Sequence, residues 1–499
     1  MKSLKKRLYD RLFNNEIIRE NIAVKYHDSK TSFCLTFQHL YNEVKNVTNL
    51  LEGTHHKIVK LNFDLNKKEI AFIIPAIIGV ALSDENTFFV SNSVLSDQIE
   101  NGVLSYENGS FNYVEIQENQ SHLCNKNILY CVQTSGTSGR RKTVQVPDSC
   151  ILPNIEDFQR IFYLSEKDVI FSAAPPSFDP FYLDVFVSIL SNATLLMTSQ
   201  TVKSKGGRTL SNVLHENQVT LTQMTPSLFK SIHENVPNSL KHLILGGEPF
   251  AKINQKVNEN MKIYNIYGLT EMSVWQSMVE IKDFELDQQP IKGVENLLSK
   301  TNIKLENEEI KVSSKERSCF YDEKWHFDIK TGDLGFKRGS EIFCSGRSDD
   351  VFKIHGQKLS LQEIEMKWST VFESPSFCMI TENKKLLGYI KTSKSLEELW
   401  KLSTKFLSPL IMPYALQCGI EHPPVTLNGK IDKESLRNII LQGPAYVSGQ
   451  AVSILHPRQK CIFKNIFNKF CSYIPKLQKI YRKISSQIYG SESRVPNLH

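Results

Sequence analysis

The chain has 499 residues, 40% of them hydrophobic and 23% charged, with 28 Phe and 17 Tyr to fill a large core. This excludes a disordered chain, a collagen and a small disulfide-stapled scaffold. Of the net charge of +7, residues 435–499 hold ten Lys or Arg against Glu492 alone, so the first 434 residues sum to −2 and bulk charge excludes nucleic-acid binding.

The N-terminal MKSLKKRLYDRLFNN is basic but lacks the apolar stretch of a signal peptide. Residues 35–52 place Leu40, Val44, Val47 and Leu51 at helical spacing, which predicts a helix. The run IAFIIPAIIGVAL at 70–82 contains Pro75 and is too short to span a bilayer, so it is read as buried core with no transmembrane segment. Short apolar, β-branched runs at 56–63, 86–92, 127–134, 168–173, 193–199 and 241–247 are predicted strands. Their alternation with amphipathic stretches predicts an α/β fold with a mostly parallel sheet. From about Glu341 the elements shorten. The expected division is a large domain over 1–348, a small α+β domain over 349–440 and a basic tail over 441–499. The ten Cys include no CxxC pair, which argues against zinc knuckles and disulfides and for a reducing, cytoplasmic location.

Five stretches carry chemistry. Thr134-Ser-Gly-Thr-Ser-Gly-Arg-Arg-Lys142 follows a predicted strand; its backbone N–H groups and hydroxyls can wrap phosphate oxygens, with Lys142 adding charge. It is not a Walker A loop, because Arg141 stands where Gly-Lys-Ser/Thr would begin; alone, it serves equally as a solvated turn. Asn265-Ile-Tyr-Gly-Leu-Thr-Glu271 offers a stacking face, a close backbone approach, a hydroxyl and a carboxylate suited to Mg2+, or simply a turn after a strand. Thr331-Gly-Asp333 puts an acid on a tight turn, where it could take both hydroxyls of a ribose. The fourth and fifth are Gly346-Arg-Ser-Asp-Asp-Val-Phe-Lys-Ile-His-Gly356 and Asn428-Gly-Lys-Ile-Asp432.

In this order the five stretches, with Gly246-Gly-Glu248, resemble the adenylate-forming superfamily of acyl-CoA synthetases, luciferases and peptide-synthetase adenylation domains. The resemblance runs from about residue 20 to 440. Within the superfamily it is strongest to the β-alanine-activating lineage, through 146–158, 175–186, 222–229 and 266–275. It implies a large adenylate-forming domain of α/β layers with a small mobile C-terminal α+β domain. The implied reaction joins ATP and a carboxylate, in this lineage an amino acid such as β-alanine, to an acyl-adenylate. The acyl group then passes to a phosphopantetheine thiol of CoA or of a carrier protein acting in trans.

The resemblance also implies residue roles. Ser135, Gly136, Thr137, Ser138 and Gly139, flanked by Thr134 and Lys142, would cradle the β- and γ-phosphates. Tyr267 would stack on adenine with Gly246 and Gly247 opposite, in the segments that also hold Glu248, Asn265 and Gly268. Thr270 would contact the α-phosphate, Glu271 would hold Mg2+, and Asp333 with Arg347 would bind the ribose. Lys430 would bridge the carboxylate and α-phosphate, Asp349 would act as the hinge, and Gly356 would line the thiol tunnel. Asp179 would hold the substrate ammonium, since a buried carboxylate costs several kcal/mol unless paired. The simpler alternative for Asp179 is a helix N-cap; Asp184 is a second, weaker candidate, for which the simpler alternative is a solvent-facing side chain.

Two departures stand out. Arg141 replaces the Pro usual in the phosphate loop, and Ser138 replaces the second Thr. Residues 441–499 lack a carrier-domain Gly-Gly-x-Ser signature and instead contain the acid-free stretch 456–484, with aromatics at 463, 467, 470 and 473. Three readings of that stretch stay open: an amphipathic helix for an anionic surface, a dock for a carrier protein, and a truncated reading frame. The alternatives for the whole chain are a CoA ligase for an uncharged acid and a non-catalytic nucleotide-binding scaffold.

Overall fold

A computed structural model describes the chain from Ser3 to Ser453, except residues 15–18, 29, 84–85, 91–99, 117–127, 136–140, 233–235, 251–257, 283–287, 349–350, 355–356, 382–384, 409–410, 421–422, 425–430, 443 and 448–449. The described residues fall into two compact units, one within Met1–Glu363 and Pro424–Asp432, the other within Ile364–Pro423 and Lys433–His499.

The first unit is built on two eight-stranded sheets. One runs Ser277–Glu280, Lys262–Tyr267, His242–Gly246, Leu221–Met224, Val169–Ser172, Thr194–Met197, Ile22–His27 and Ser32–Thr36, parallel except at its two edges. The other runs Lys324–His326, Cys319–Tyr321, Arg141–Pro147, Ile128–Ser135, Thr87–Phe89, Ile58–Asn62, Gly102–Glu107 and Ser110–Glu115. All six predicted strand runs form strands. Covered sheets select continuous apolar segments rather than alternating ones, which is why these runs stand out in the sequence.

The stretch 35–52 forms the helix Phe37–Leu50, which buries Phe37, Leu40, Val44 and Val47 and is capped by Thr36. The apolar run forms the helix Ile73–Leu82, buried almost throughout. Gly79 is where these two helices meet: a Cβ there would lie 2.5 Å from Val47, so only glycine permits the approach. A four-stranded antiparallel sheet, Asn302–Glu306, Glu309–Ser313, Asp328–Arg338 and Glu341–Arg347, and the hairpin Val351–Ile354 with Gln357–Ser360 complete the unit.

The second unit carries a five-stranded sheet in the order Ser376–Ile380, Leu386–Lys391, Ala415–Gly419, Pro444–Val447 and Gln450–Ser453, with the helices Leu361–Phe372, Leu396–Phe406 and Lys433–Gln442 beside it. Its last two strands lie past residue 440. No described helix is long and apolar enough to cross a membrane.

Candidate active site

Thr134, Gly246 and Tyr267 sit at or next to the carboxyl ends of strands, the usual location of ligand sites in open α/β sheets, whereas Thr331-Gly-Asp333, expected on a tight turn, lies within the strand Asp328–Arg338. Thr134 is the penultimate residue of the strand Ile128–Ser135 and pairs in register with Lys142 on the return strand. Its hydroxyl is buried with no hydrogen-bond partner among the described residues. A buried, unpaired hydroxyl at the mouth of the Ser/Gly loop suits a phosphate acceptor. Lys142 lies 3.4 Å from Asp322 and 5.3 Å from the ring centre of Tyr321. Gly136, Thr137, Ser138 and Gly139 lie outside the described residues, and so does the side chain of Ser135.

Gly246 ends the strand His242–Gly246; a Cβ on it would approach the Ile266 carbonyl to 2.5 Å, so the two strand ends lie back to back. Gly247 follows with a φ of +78°, a left-handed turn that suits glycine. Glu248 accepts the backbone N–H of Ser227 at 3.1 Å. Asn265 is buried and donates its amide to the Pro290 carbonyl at 2.9 Å, so its side chain braces the strand from beneath.

Tyr267 is held at both ends. Its hydroxyl donates to Asp333 Oδ2 at 2.5 Å, and burial, then the Asp333 charge, pushes the phenol well above its ordinary pKa. Arg347 Nη1 donates to the other Asp333 oxygen at 3.0 Å. Asp333, Arg347 and Tyr267 thus form one cluster, with Asp333 and Arg347 in register on adjacent strands. Gly268 is compulsory here too: a Cβ would lie 2.4 Å from the Val274 carbonyl and 2.8 Å from the Trp275 ring.

Thr270 and Glu271 occupy the single 3₁₀ turn Thr270–Met272. Among the described residues no group of three or more His, Cys, Asp or Glu could hold a metal. Mg2+ shared with substrate phosphates needs only one or two carboxylates, so Glu271 beside the Thr270 hydroxyl fits that role.

Asp179 opens the helix Asp179–Leu190 and is 3% exposed. It is not the N-cap: Phe178 is, with no side-chain capping bond. Its carboxylate turns instead to the 3₁₀ turn, accepting Ser273 Oγ at 2.6 Å on Oδ2 and Thr270 Oγ1 at 3.4 Å on Oδ1. Burial raises its pKa to about 6, against the pull of the Ser273 hydroxyl. Asp184, the second candidate, does not face solvent: it is 2% exposed. Helix geometry turns it inward, where Gln223 Nε2 donates to it at 2.6 Å and Lys203 is its buried countercharge.

Gln223 and Trp275 lie within the stretches 222–229 and 266–275, but their part in locking this arrangement, and that of Arg317, is not legible there. Trp275 Nε1 donates to Gln223 at 2.8 Å, and the fully buried Arg317 donates to the carbonyls of Met272, Ser273 and Trp275 at 2.9, 2.7 and 2.9 Å. Arg317 stands in the polar run Ser313-Ser-Lys-Glu-Arg-Ser318, so nothing local marks it as a buried residue. Lys430, Asp349 and Gly356 lie outside the described residues.

Residues 22–316 match the AMP-binding enzyme family. The chain is 29% identical over 369 residues to the mouse β-alanine-activating enzyme, covering 67% of this chain and 33% of that protein. For the human β-alanine-activating enzyme the figures are 30% over 349 residues, 63% and 32%. The chain thus spans about a third of the length of these relatives. A Staphylococcus aureus D-alanine–D-alanyl carrier protein ligase is 23% identical over 474 residues, covering 84% of this chain and 96% of its own. Among solved structures, a four-domain nonribosomal peptide synthetase bound to AMP and glycine superposes with a TM-score of 0.68 at 16% identity, over 87% of this chain and 36% of its own. Bacillus subtilis O-succinylbenzoate coenzyme A synthetase with ATP and magnesium gives 0.62 at 17%, over 87% and 97%; both share the fold. With the match covering more than half its length, this chain belongs to the AMP-binding enzyme family.

Proposed function

We propose that this chain activates an amino acid, β-alanine or another short one, as its adenylate and transfers it to a phosphopantetheine thiol. The observation that carries this reading is Asp179, a buried carboxylate met by hydroxyl donors and by no described cation. Such a group is costly until a positive charge reaches it, and a substrate ammonium is that charge. An uncharged acid would gain nothing from it. The relatives that activate β-alanine or D-alanine point the same way.

In the first step a carboxylate oxygen attacks the α-phosphorus of ATP and the bond to pyrophosphate breaks. Anions meet, so positioning and charge neutralisation do the catalysis. Thr270 would contact the α-phosphate, Glu271 would hold the Mg2+ that neutralises phosphate charge, and Tyr267, Asp333 and Arg347 would seat the nucleoside. Lys430 would bridge the carboxylate and the α-phosphate. In the second step the thiol sulfur attacks the acyl carbon, AMP leaves and the thiol proton passes to solvent. Asp349 as hinge and Gly356 as tunnel lining would serve this step. The acceptor is CoA or a carrier protein, and the location is cytoplasmic, in keeping with the free thiols of Cys34, Cys131, Cys150 and Cys319.

The test is amino-acid-dependent ATP–pyrophosphate exchange with β-alanine, D-alanine and plain carboxylic acids, run beside Lys430→Ala and Asp179→Ala. Exchange with an amino acid that both variants lose is the expected result. Exchange with plain acids alone would move the chain to the CoA-ligase class, and none at all to a nucleotide-binding scaffold.

A further inference from the structure

Behind Asp179 lies a second layer of hydroxyls. Ser273 Oγ sits 2.6 Å from Asp179 Oδ2, and Tyr130 Oη sits 2.7 Å from Ser273 Oγ, all three side chains buried. Tyr130 comes from the strand Ile128–Ser135, 143 residues away in sequence. Its ring is wedged between Phe88, at 5.5 Å, and Tyr182, at 4.6 Å between ring centres, so the hydroxyl has one place to point. The Arg317 bond to the Ser273 carbonyl fixes the Ser273 backbone in turn.

An ionised carboxylate can only accept, so the single Ser273 proton must point at Asp179. Ser273 Oγ is then free to accept, and Tyr130 must be its donor. Burial, then the Asp179 charge, keeps the Tyr130 phenol protonated for that role. The order Tyr130 to Ser273 to Asp179 aims both hydroxyl dipoles at the carboxylate and replaces the water it has lost. On Oδ1 the Thr270 bond is long, at 3.4 Å, which leaves that oxygen for a substrate N–H.

We infer that Ser273 and Tyr130 are positioning residues for the substrate amino group, a directed pair of hydroxyls that holds Asp179 oriented and ionised to receive an ammonium. The inference rests on the amino-acid reading proposed above. The pair acts on binding of one functional group, so its removal separates amino acids from their deamino analogue. β-Alanine and D-alanine both become propionate on losing the amino group, and propionate is therefore the internal control.

The experiment measures ATP–pyrophosphate exchange with β-alanine, D-alanine and propionate for the full chain, Ser273→Ala, Ser273→Thr and Tyr130→Phe. Ser273→Ala is expected to raise KM for the amino substrate about tenfold, the scale of a hydrogen bond to a charged group. Its kcat should stay within about twofold, and the amino-to-propionate ratio of kcat/KM should fall by about the same tenfold. Tyr130→Phe, which leaves the Ser273 donor in place, is expected to shift the ratio about threefold, and Ser273→Thr to restore it. Equal losses for amino acid and propionate, or an unmoved ratio, would overturn the inference while leaving the amino-acid reading intact. Wild-type exchange with propionate alone would overturn both. If Ser273→Ala does not fold, Tyr130→Phe and Ser273→Thr decide by the same ratio.

Discussion

Asp179 binds its proton more tightly in the folded chain than unfolded, because burial lifts it from 3.8 to about 6. Between those values the folded state holds more protons than the unfolded one, so stability falls as pH rises through the window and stays lower at neutral pH. Asp179→Asn should therefore raise the stability at pH 7 by up to about 3 kcal/mol and flatten its pH dependence between 4 and 6, read by thermal melting. The same variant should lose amino-acid exchange. In the wild type, kcat/KM for an amino substrate should fall with one proton below about pH 6, and that for propionate should lack this step. Asp184 and Lys203 make a contrasting buried pair, burial raising the carboxyl and lowering the ammonium. A carboxyl raised to about 8 is mostly protonated at pH 7, so Asp184→Asn should change stability there by less than about 1 kcal/mol, read by denaturant titration.

The turn from Thr270 to Trp275 is too short to hold its own shape, and Arg317 supplies the missing bonds. Its Nη groups satisfy three carbonyls of the turn and Asn154 Oδ1 at 3.1 Å, and Asn154 in turn takes the Trp275 N–H at 3.0 Å. Arg317→Met should cost about 3 kcal/mol, since the Ser273 carbonyl keeps only the Cys150 thiol at 3.3 Å while Met272 and Trp275 each lose one donor and keep Gln276 and Asn154, and should abolish exchange with every acid tested. Arg317→Lys keeps the charge but not the planar fork, and should lie between the two. Failure of exchange in a well-folded Arg317→Met would place the turn, rather than stability, at the centre of the effect; full activity would refute the clamp.

In the second unit, the strands Pro444–Val447 and Gln450–Ser453 cover the edge of Ala415–Gly419. A chain ending at Ile440 would expose that edge and should melt at a lower temperature and aggregate, while one ending at Ser453 should match the full chain. Equal melting of both would show that the two strands contribute little. The sheet strands and the two packed helices were legible because burial on both faces, or on one stripe, writes itself into consecutive residues. The nucleotide-binding stretches were legible for a related reason: a backbone that must approach phosphate or adenine needs glycines and hydroxyls within a few positions, as at Thr134–Lys142 and Tyr267–Glu271. Asp179 was legible as an acid near a helix start, but its bond to Ser273 was not. The burial of Asp184, the Arg317 clamp and the Tyr130–Ser273 pair join residues some 40 to 160 positions apart, and no local pattern encodes such meetings. They exist because two sheets and a helix terminus converge, and only packing in three dimensions sets which polar groups lose water together and must satisfy one another.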